Sequence, residues 1–188
     1  MQEKKPSNKQ IRSKKRVKEF GEVFTPGFIV NAMNDLCEPD LSDIHKKVLE
    51  PACGNGAFLT NILERRLKKC KTNYERLIAL TNIYGIDIQP DNCTECKLKL
   101  RQIMLENEDI DDNEVYFLEA TNIITENNII CGDAINGTDK IYFINYTPAN
   151  NESFSISRHC MADMLNGDKL KWSKLNKLKG RKNGRRIG

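Results

Sequence analysis

The segment Val48-Leu49-Glu50-Pro51-Ala52-Cys53-Gly54-Asn55-Gly56-Ala57-Phe58 constrains this chain more than any other. Val48-Leu49-Glu50 reads as a short buried strand that runs into a turn holding two glycines. Phe58, Leu59, Ile62, Leu63, Leu67 and Cys70 then recur at helical spacing, with Glu64, Arg65, Lys68 and Lys69 on the polar side. A strand, a glycine turn and an amphipathic helix in that order open a βαβ unit.

The flanking sequence continues the alternation. Upstream, Thr25 and Pro26 look like a helix start, with a hydroxyl N-cap followed by a proline at the first helical position. That helix would carry Phe28, Ile29, Met33 and Leu36 on one face and end near residues 37–39. Downstream, residues 74–80 read as a second short helix and residues 83–88 as the next strand. Pro90 and Asp91 open a helix through about residue 105, and residues 115–118 and 129–131 are candidate strands. Strands alternating with helices predict an α/β fold, a parallel sheet with helices on both faces. After Asp139 the pattern weakens: residues 141–144 suggest a strand and residues 158–165 a short helix.

Charge sets the outer limits of that body. Residues 1–18 hold eight basic residues against Glu3, and residues 168–188 hold nine against Asp168, whereas the stretch between them has a net charge of −11. The formal total of +4 therefore hides an acidic body between two basic arms. The expected organisation is a flexible arm over residues 1–19 and an α/β domain over 20–140. A variable connection over 141–167 and a disordered tail over 168–188 follow. An apolar content of 39% suffices for one core in a body of roughly 150 residues.

No apolar run approaches the ~20 residues of a membrane span, and the first residues carry no apolar export signal. With seven cysteines and no such signal, a disulfide framework is not expected, and the compartment reading is cytoplasmic. Cys93-x-x-Cys96 lies inside a predicted helix without a second pair or a histidine nearby, so it reads as packing and no metal is expected. His45 and His159 have no supporting constellation.

Ligands of open α/β sheets sit at the carboxyl ends of the strands, and three features fall there. Gly54 and Gly56 let a ligand approach backbone N–H groups, with a helix N-terminus behind them. Asp87 ends the second strand, where a carboxylate can accept both hydroxyls of a ribose. Asp133 ends a later strand and is placed to meet an amino group of a base. Leu59 stands where a dinucleotide-binding turn wants its third glycine, which disfavours a nucleotide-dependent oxidoreductase. No Gly-Lys-Ser/Thr follows, so a Walker loop is excluded. A glycine turn flanked by acids suits an amino-bearing cationic nucleoside, and S-adenosyl-L-methionine carries a ribose, an adenine amino group and an ammonium that Glu50 can meet.

Residues 49–58 resemble the Asp/Glu-Pro-x-Cys-Gly-x-Gly-x-Phe cofactor loop of N6-adenine-specific DNA methyltransferases of the restriction–modification type. Gly21-Glu22-Val23-Phe24-Thr25-Pro26 is similar to that family's Val-Phe-Thr-Pro segment, which closes over the methionine part of the cofactor. Tyr84-Gly85-Ile86-Asp87-Ile88 resembles its ribose-binding strand, and Ile130-Cys131-Gly132-Asp133-Ala134 the strand whose acid meets adenine. The resemblance runs from about residue 20 to residue 135. It implies a Rossmann-like S-adenosylmethionine-dependent methyltransferase fold, incomplete on its C-terminal side, and DNA adenine flipped out of the duplex as substrate. The implied cofactor contacts are Phe24, Thr25, Pro26, Glu50, Pro51, Ala52, Cys53, Gly54, Gly56, Phe58, Asp87, Ile88 and Asp133.

The chain departs from the family at the catalytic step. The Asn/Asp-Pro-Pro-Tyr/Phe motif is missing, because no Pro-Pro pair occurs anywhere, and Asn145-Tyr146-Thr147-Pro148 has the residue types in another order. No catalytic residue is assigned, and the chain alone is expected to bind cofactor without methylating. DNA is the expected partner, reached through missing domains or the basic arms, together with a partner chain that carries the motif. A catalytically silent module that binds DNA or a partner subunit is the rival reading.

Overall fold

The computed structural model describes residues 12–106 and 114–165. The expected tail over 168–188, and residues 1–11 of the expected arm, lie outside the described residues. Seven helices and five strands follow in chain order among the described residues. They are α1 (Lys14–Phe20), α2 (Gly27–Asp35), β1 (Val48–Glu50), α3 (Ala57–Leu67), α4 (Asn73–Thr81) and β2 (Ile83–Asp87). After them come α5 (Pro90–Glu106), α6 (Glu114–Asn128), β3 (Ile129–Cys131), β4 (Tyr142–Ala149), β5 (Ser153–Cys160) and α7 (Met161–Leu165).

β1, β2 and β3 form a parallel sheet in that order, so the α/β expectation holds. Alternate residues of β2 split the core in two. Ile83 joins Leu59, Leu63, Cys96, Leu100 and Ile129 on the face covered by α3 and α5. Tyr84 and Ile86 point the other way, onto Ile141, Phe143 and Met161. The second face is therefore covered by the region of the β4–β5 hairpin and by the start of α7, not by the helices that strand–helix alternation predicts. Tyr84 and Phe143 meet edge to face at 5.6 Å, a geometry in which a ring's positive edge meets its neighbour's negative face.

Four expectations need correction. Residues 115–118 lie in α6, not in a strand: Phe117, Thr121, Ile124, Thr125 and Asn128 are all buried at helical spacing, but three of them are polar and hide the period. The strand expected over 141–144 is longer, Tyr142–Ala149, and pairs antiparallel with β5 from Tyr142↔Cys160 to Ala149↔Ser153. The helix expected over 158–165 begins only at Met161. Residues 12–19 are not a free arm, because Ser13 caps α1 by accepting from the Arg16 N–H and Gly21 ends it in the left-handed region.

The start and face of α2 also differ. Pro26, not Thr25, is its N-cap, and no side chain caps it. Its buried residues are Val30 and Asn34, while Phe28, Met33 and Leu36 are exposed. α2 docks on α3 through polar groups instead: Asn34 donates to Asn61 at 2.9 Å, and Arg65 reaches Asp35 at 2.7 Å and Glu38 at 3.1 Å. α4 and α5 start at Asn73 and Pro90, close to where the sequence implies. Thr72 accepts from the Glu75 N–H at 3.1 Å to cap α4, while the Glu75 carboxylate turns back to the Lys71 N–H at 2.6 Å. Among the described residues no helix is long and apolar enough to cross a membrane.

Candidate cofactor site

The register brings the three acids to one end of the sheet. Glu50 pairs with Gly85 and Asp87 with Cys131, so each strand's terminal acid lies beyond its neighbour's, and Asp133 follows just past β3. Glu50 accepts from the Ala52 N–H at 3.3 Å, which begins the turn. Pro51 and Ala52 are exposed. Cys53 is buried, and its N–H donates to the Ile86 carbonyl at 2.8 Å, lashing the turn to β2.

Gly54 and Gly56 both adopt positive φ, at 53° and 86°, a region that glycine enters without steric cost. A Cβ on Gly56 would lie 2.6 Å from Cys96 Sγ, so α5 packs directly on the turn. Gly56 is also the N-cap of α3, with no capping side chain and no acid in the first turn. That helix end keeps its partial positive charge. Phe58 is half-buried in the first turn. Leu59, where the dinucleotide pattern wants glycine, packs over Gly85, whose Cβ would lie 2.7 Å from Leu59 Cδ1. Here the strand, not the helix, supplies the glycine for close contact.

Asp87 organises the loop. Its carboxylate accepts from the Gly54 N–H at 2.9 Å, the Gln89 N–H at 2.8 Å and the Asn92 side-chain amide at 3.2 Å. A carboxylate offers about four acceptor sites, so one remains for a ligand, fewer than the two hydroxyls expected of it. Ile88 beside it is half exposed. Asp133 accepts from the Ile135 and Asn136 N–H groups at 2.8 and 2.9 Å and from the Asn136 amide at 3.0 Å. The Asn136 N–H, then its side chain and the Ile135 N–H, hold the Asp133 carboxyl below the usual carboxylate range.

Phe24 closes the site from the other side, its ring edge 3.8 Å from where a Gly54 Cβ would stand. Phe24, Thr25 and Pro26 border a cavity of about 370 Å³ together with Asn55, Ala57 and Lys99. Lys99 donates to the Asn55 carbonyl at 3.2 Å, and the Asn55 amide donates to Glu95 at 3.0 Å. Lys99 and Glu95 carry no signal in the sequence, since α5 reads there as an ordinary amphipathic helix, while Asn55 lies between the two glycines of the turn. The cysteines are packing groups. A hydrogen bond with Cys96, then burial, pushes the Cys53 thiol far up, and burial pushes Cys93 up to about 12. Among the described residues no group of three or more His, Cys, Asp or Glu side chains is placed to hold a metal ion. Asn145-Tyr146-Thr147-Pro148 lies within β4, where Tyr146 is buried against Phe154 at a ring distance of 6.2 Å.

The sequence matches the model of the N-6 DNA Methylase family over residues 11–157. The chain belongs to the N-6 DNA Methylase family. Over 71 residues it is 41% identical to the Type II restriction enzyme and methyltransferase RM.BcgI of Heyndrickxia coagulans. That alignment covers 37% of this chain and 11% of the relative, so the match spans about a tenth of that protein. No solved structure matches the chain. The N-6 DNA Methylase match takes in every acid and glycine of the turn, and also α1, β4 and most of β5.

Proposed function

We propose that this chain is the S-adenosyl-L-methionine-binding part of an adenine-specific DNA methyltransferase of restriction–modification type, built on a Rossmann-like methyltransferase fold. The observation that carries the reading is the convergence at Gly54. The Asp87 carboxylate holds its N–H at 2.9 Å, and the Phe24 ring lies against its other side. Residues 24, 54 and 87 are distant in sequence, and each lies in a different one of the segments that resemble the family.

The residues present fit the group. Gly54 leaves room where a side chain would stand, whereas that space at Gly56 is taken by Cys96, and the uncapped end of α3 suits a carboxylate. Glu50 would meet the ammonium, Asp87 a ribose hydroxyl through its remaining acceptor site, and Asp133 the adenine amino group. Phe24, Thr25 and Pro26 would close over the methionine chain and keep water from the sulfonium. When bound, the cofactor supplies an activated methyl group. The chain's own residues bind and orient it, and acceptance of that methyl by adenine N6 falls to a segment bearing an Asn/Asp-Pro-Pro-Tyr/Phe motif. DNA and a chain or domain with that motif are the proposed partners.

Calorimetry tests the reading. Wild-type chain is expected to bind S-adenosylmethionine, and Glu50→Ala with Asp87→Ala to weaken binding at least about tenfold, or 1.4 kcal/mol. No heat at millimolar cofactor with the fold intact contradicts it. A catalytically silent module is the second reading, favoured by the burial of Tyr146 in the hairpin. Methyl transfer to mixed-sequence DNA, once the motif-bearing partner is supplied, separates the two.

A further inference from the structure

The N-terminal arginines, which the charge distribution offers to DNA, are engaged on the protein. Arg12 and Arg16 stand four residues apart, where side chains share one helix face, although Arg12 itself precedes α1. Arg16 grips Asp91 with both terminal nitrogens, at 2.5 and 3.1 Å, and its Nε donates to Glu22. Arg12 reaches Asp91 at 3.0 Å and pairs with Glu95, and its Nε lies 3.7 Å from the second Glu22 oxygen. The Glu22 side chain is only 8% exposed. The Arg12 guanidinium also stands over the Phe24 ring, 5.6 Å from its centroid.

Asp91 anchors both arginines at the start of α5, and two further routes lead to the glycine turn. Through Glu22 and Phe24 the arginines hold the segment that lies on Gly54. Through Glu95, Arg12 reaches the Asn55 amide, between the two glycines. Exposed single ion pairs contribute little, but forked arginine–carboxylate contacts joined in a network are stronger. The Arg16 hydrogen bond, opposed by burial and helped by the charges of Arg16 and Arg12, holds the Asp91 carboxyl below the usual range.

We propose that Arg12 and Arg16 are positioning residues of the cofactor site, a salt-sensitive clasp that keeps residues 22–26 closed over the glycine turn and sets how fast the ligand leaves. This rests on the reading of that turn as the S-adenosylmethionine site. The clasp bridges the segment N-terminal to α2 and the first turns of α5, so it can open without unfolding the core. Ligand exchange then requires breaking the clasp, and added salt speeds it.

The test uses the full chain with two readouts, amide hydrogen exchange over residues 20–27 and the dissociation rate of S-adenosylmethionine. The Arg12→Gln/Arg16→Gln variant is expected to exchange and to release cofactor about tenfold faster, with an unchanged melting temperature. Asp91→Asn should approach the same result from the acidic side, and Arg12→Lys/Arg16→Lys should fall between, keeping charge but losing the fork. Unchanged exchange in the glutamine variant overturns the clasp, as does faster exchange with an unaltered dissociation rate. A wild-type chain that binds no cofactor overturns the proposed function and the positioning role together, whereas failure of the clasp alone leaves wild-type binding intact.

Discussion

Arg66→Met is expected to destabilise the protein by about 3–5 kcal/mol, because three carbonyls in the interior each lose a charged donor at about 1–3 kcal/mol apiece. Arg66 has no exposed surface. Its guanidinium donates to three backbone carbonyls: Leu41 at 2.9 Å, Ala79 at 3.1 Å and Lys46 at 2.6 Å. One side chain on α3 thus gathers the loop after α2, the approach to β1 and the last turns of α4. Burial pushes its pKa down to about 10, against the attraction of Asp43, so it remains charged at neutral pH. Methionine fills much of the volume but leaves three carbonyls unpaired in the interior. For a chain of this size the melting temperature should fall by about 10 °C. Arg66→Lys should recover only part of that, since an ammonium cannot span three carbonyls in a plane. A loss below about 1 kcal/mol for methionine, read by urea unfolding, contradicts the role.

Gly56→Ala should be the next most damaging change, for two additive reasons. The position has φ of 86°, where an L side chain costs about 1–2 kcal/mol. The new methyl would lie 2.6 Å from Cys96 Sγ and 3.2 Å from Cys96 Cα, an overlap worth a further ~1–3 kcal/mol. Gly54→Ala is the control. Its φ is 53°, but its nearest neighbour is the Phe24 ring at 3.8 Å, so only the backbone cost of about 1 kcal/mol applies. Adding Cys96→Ala to Gly56→Ala should return some of the loss, but not all, because the Cys96 backbone still crowds the new methyl. Equal costs at the two glycines in urea unfolding would show that the turn does not press on α5.

Much of this architecture is legible in the residues because its signals are local. The βαβ opening at residues 48–67, the short helix near residues 74–80 and the strand at Ile83 follow from apolar period and glycine placement. The acids at strand ends are legible for the same reason, since a parallel sheet puts them together. What fails does so where a polar side chain does a core residue's work. Thr121, Thr125 and Asn128 are buried in α6: the Thr125 hydroxyl donates back to the Thr121 carbonyl, and the Asn128 amide to the Thr81 and Ile83 carbonyls. Periodicity counts apolar residues, so it sees only Val115–Tyr116–Phe117–Leu118 and reads a strand. α2 misleads in the opposite sense, as Asn34 and Asn61 make its interface while Phe28 and Leu36 face outward.

Long-range ion pairs leave no local trace either. A basic N-terminus reads as a nucleic-acid arm, and nothing near Arg16 announces Asp91, 75 residues on. The reading that places DNA contacts there keeps only the lysines and the residues outside the described ones. The charge split between arms and body still describes the sequence, but two arginines of the first arm belong to the body.

Everything proposed for the site depends on the turn from Glu50 to Gly56 holding S-adenosyl-L-methionine. An amide ¹H–¹⁵N titration with that cofactor is the sharpest test, because it reports where binding occurs as well as whether it does. Shifts are expected to concentrate at Phe24, Gly54, Asn55, Gly56, Asp87 and Gly132, with α4 and the hairpin silent. Shifts clustered instead in the cleft lined by Tyr74, Arg76 and Phe154, or none at millimolar cofactor, would contradict it.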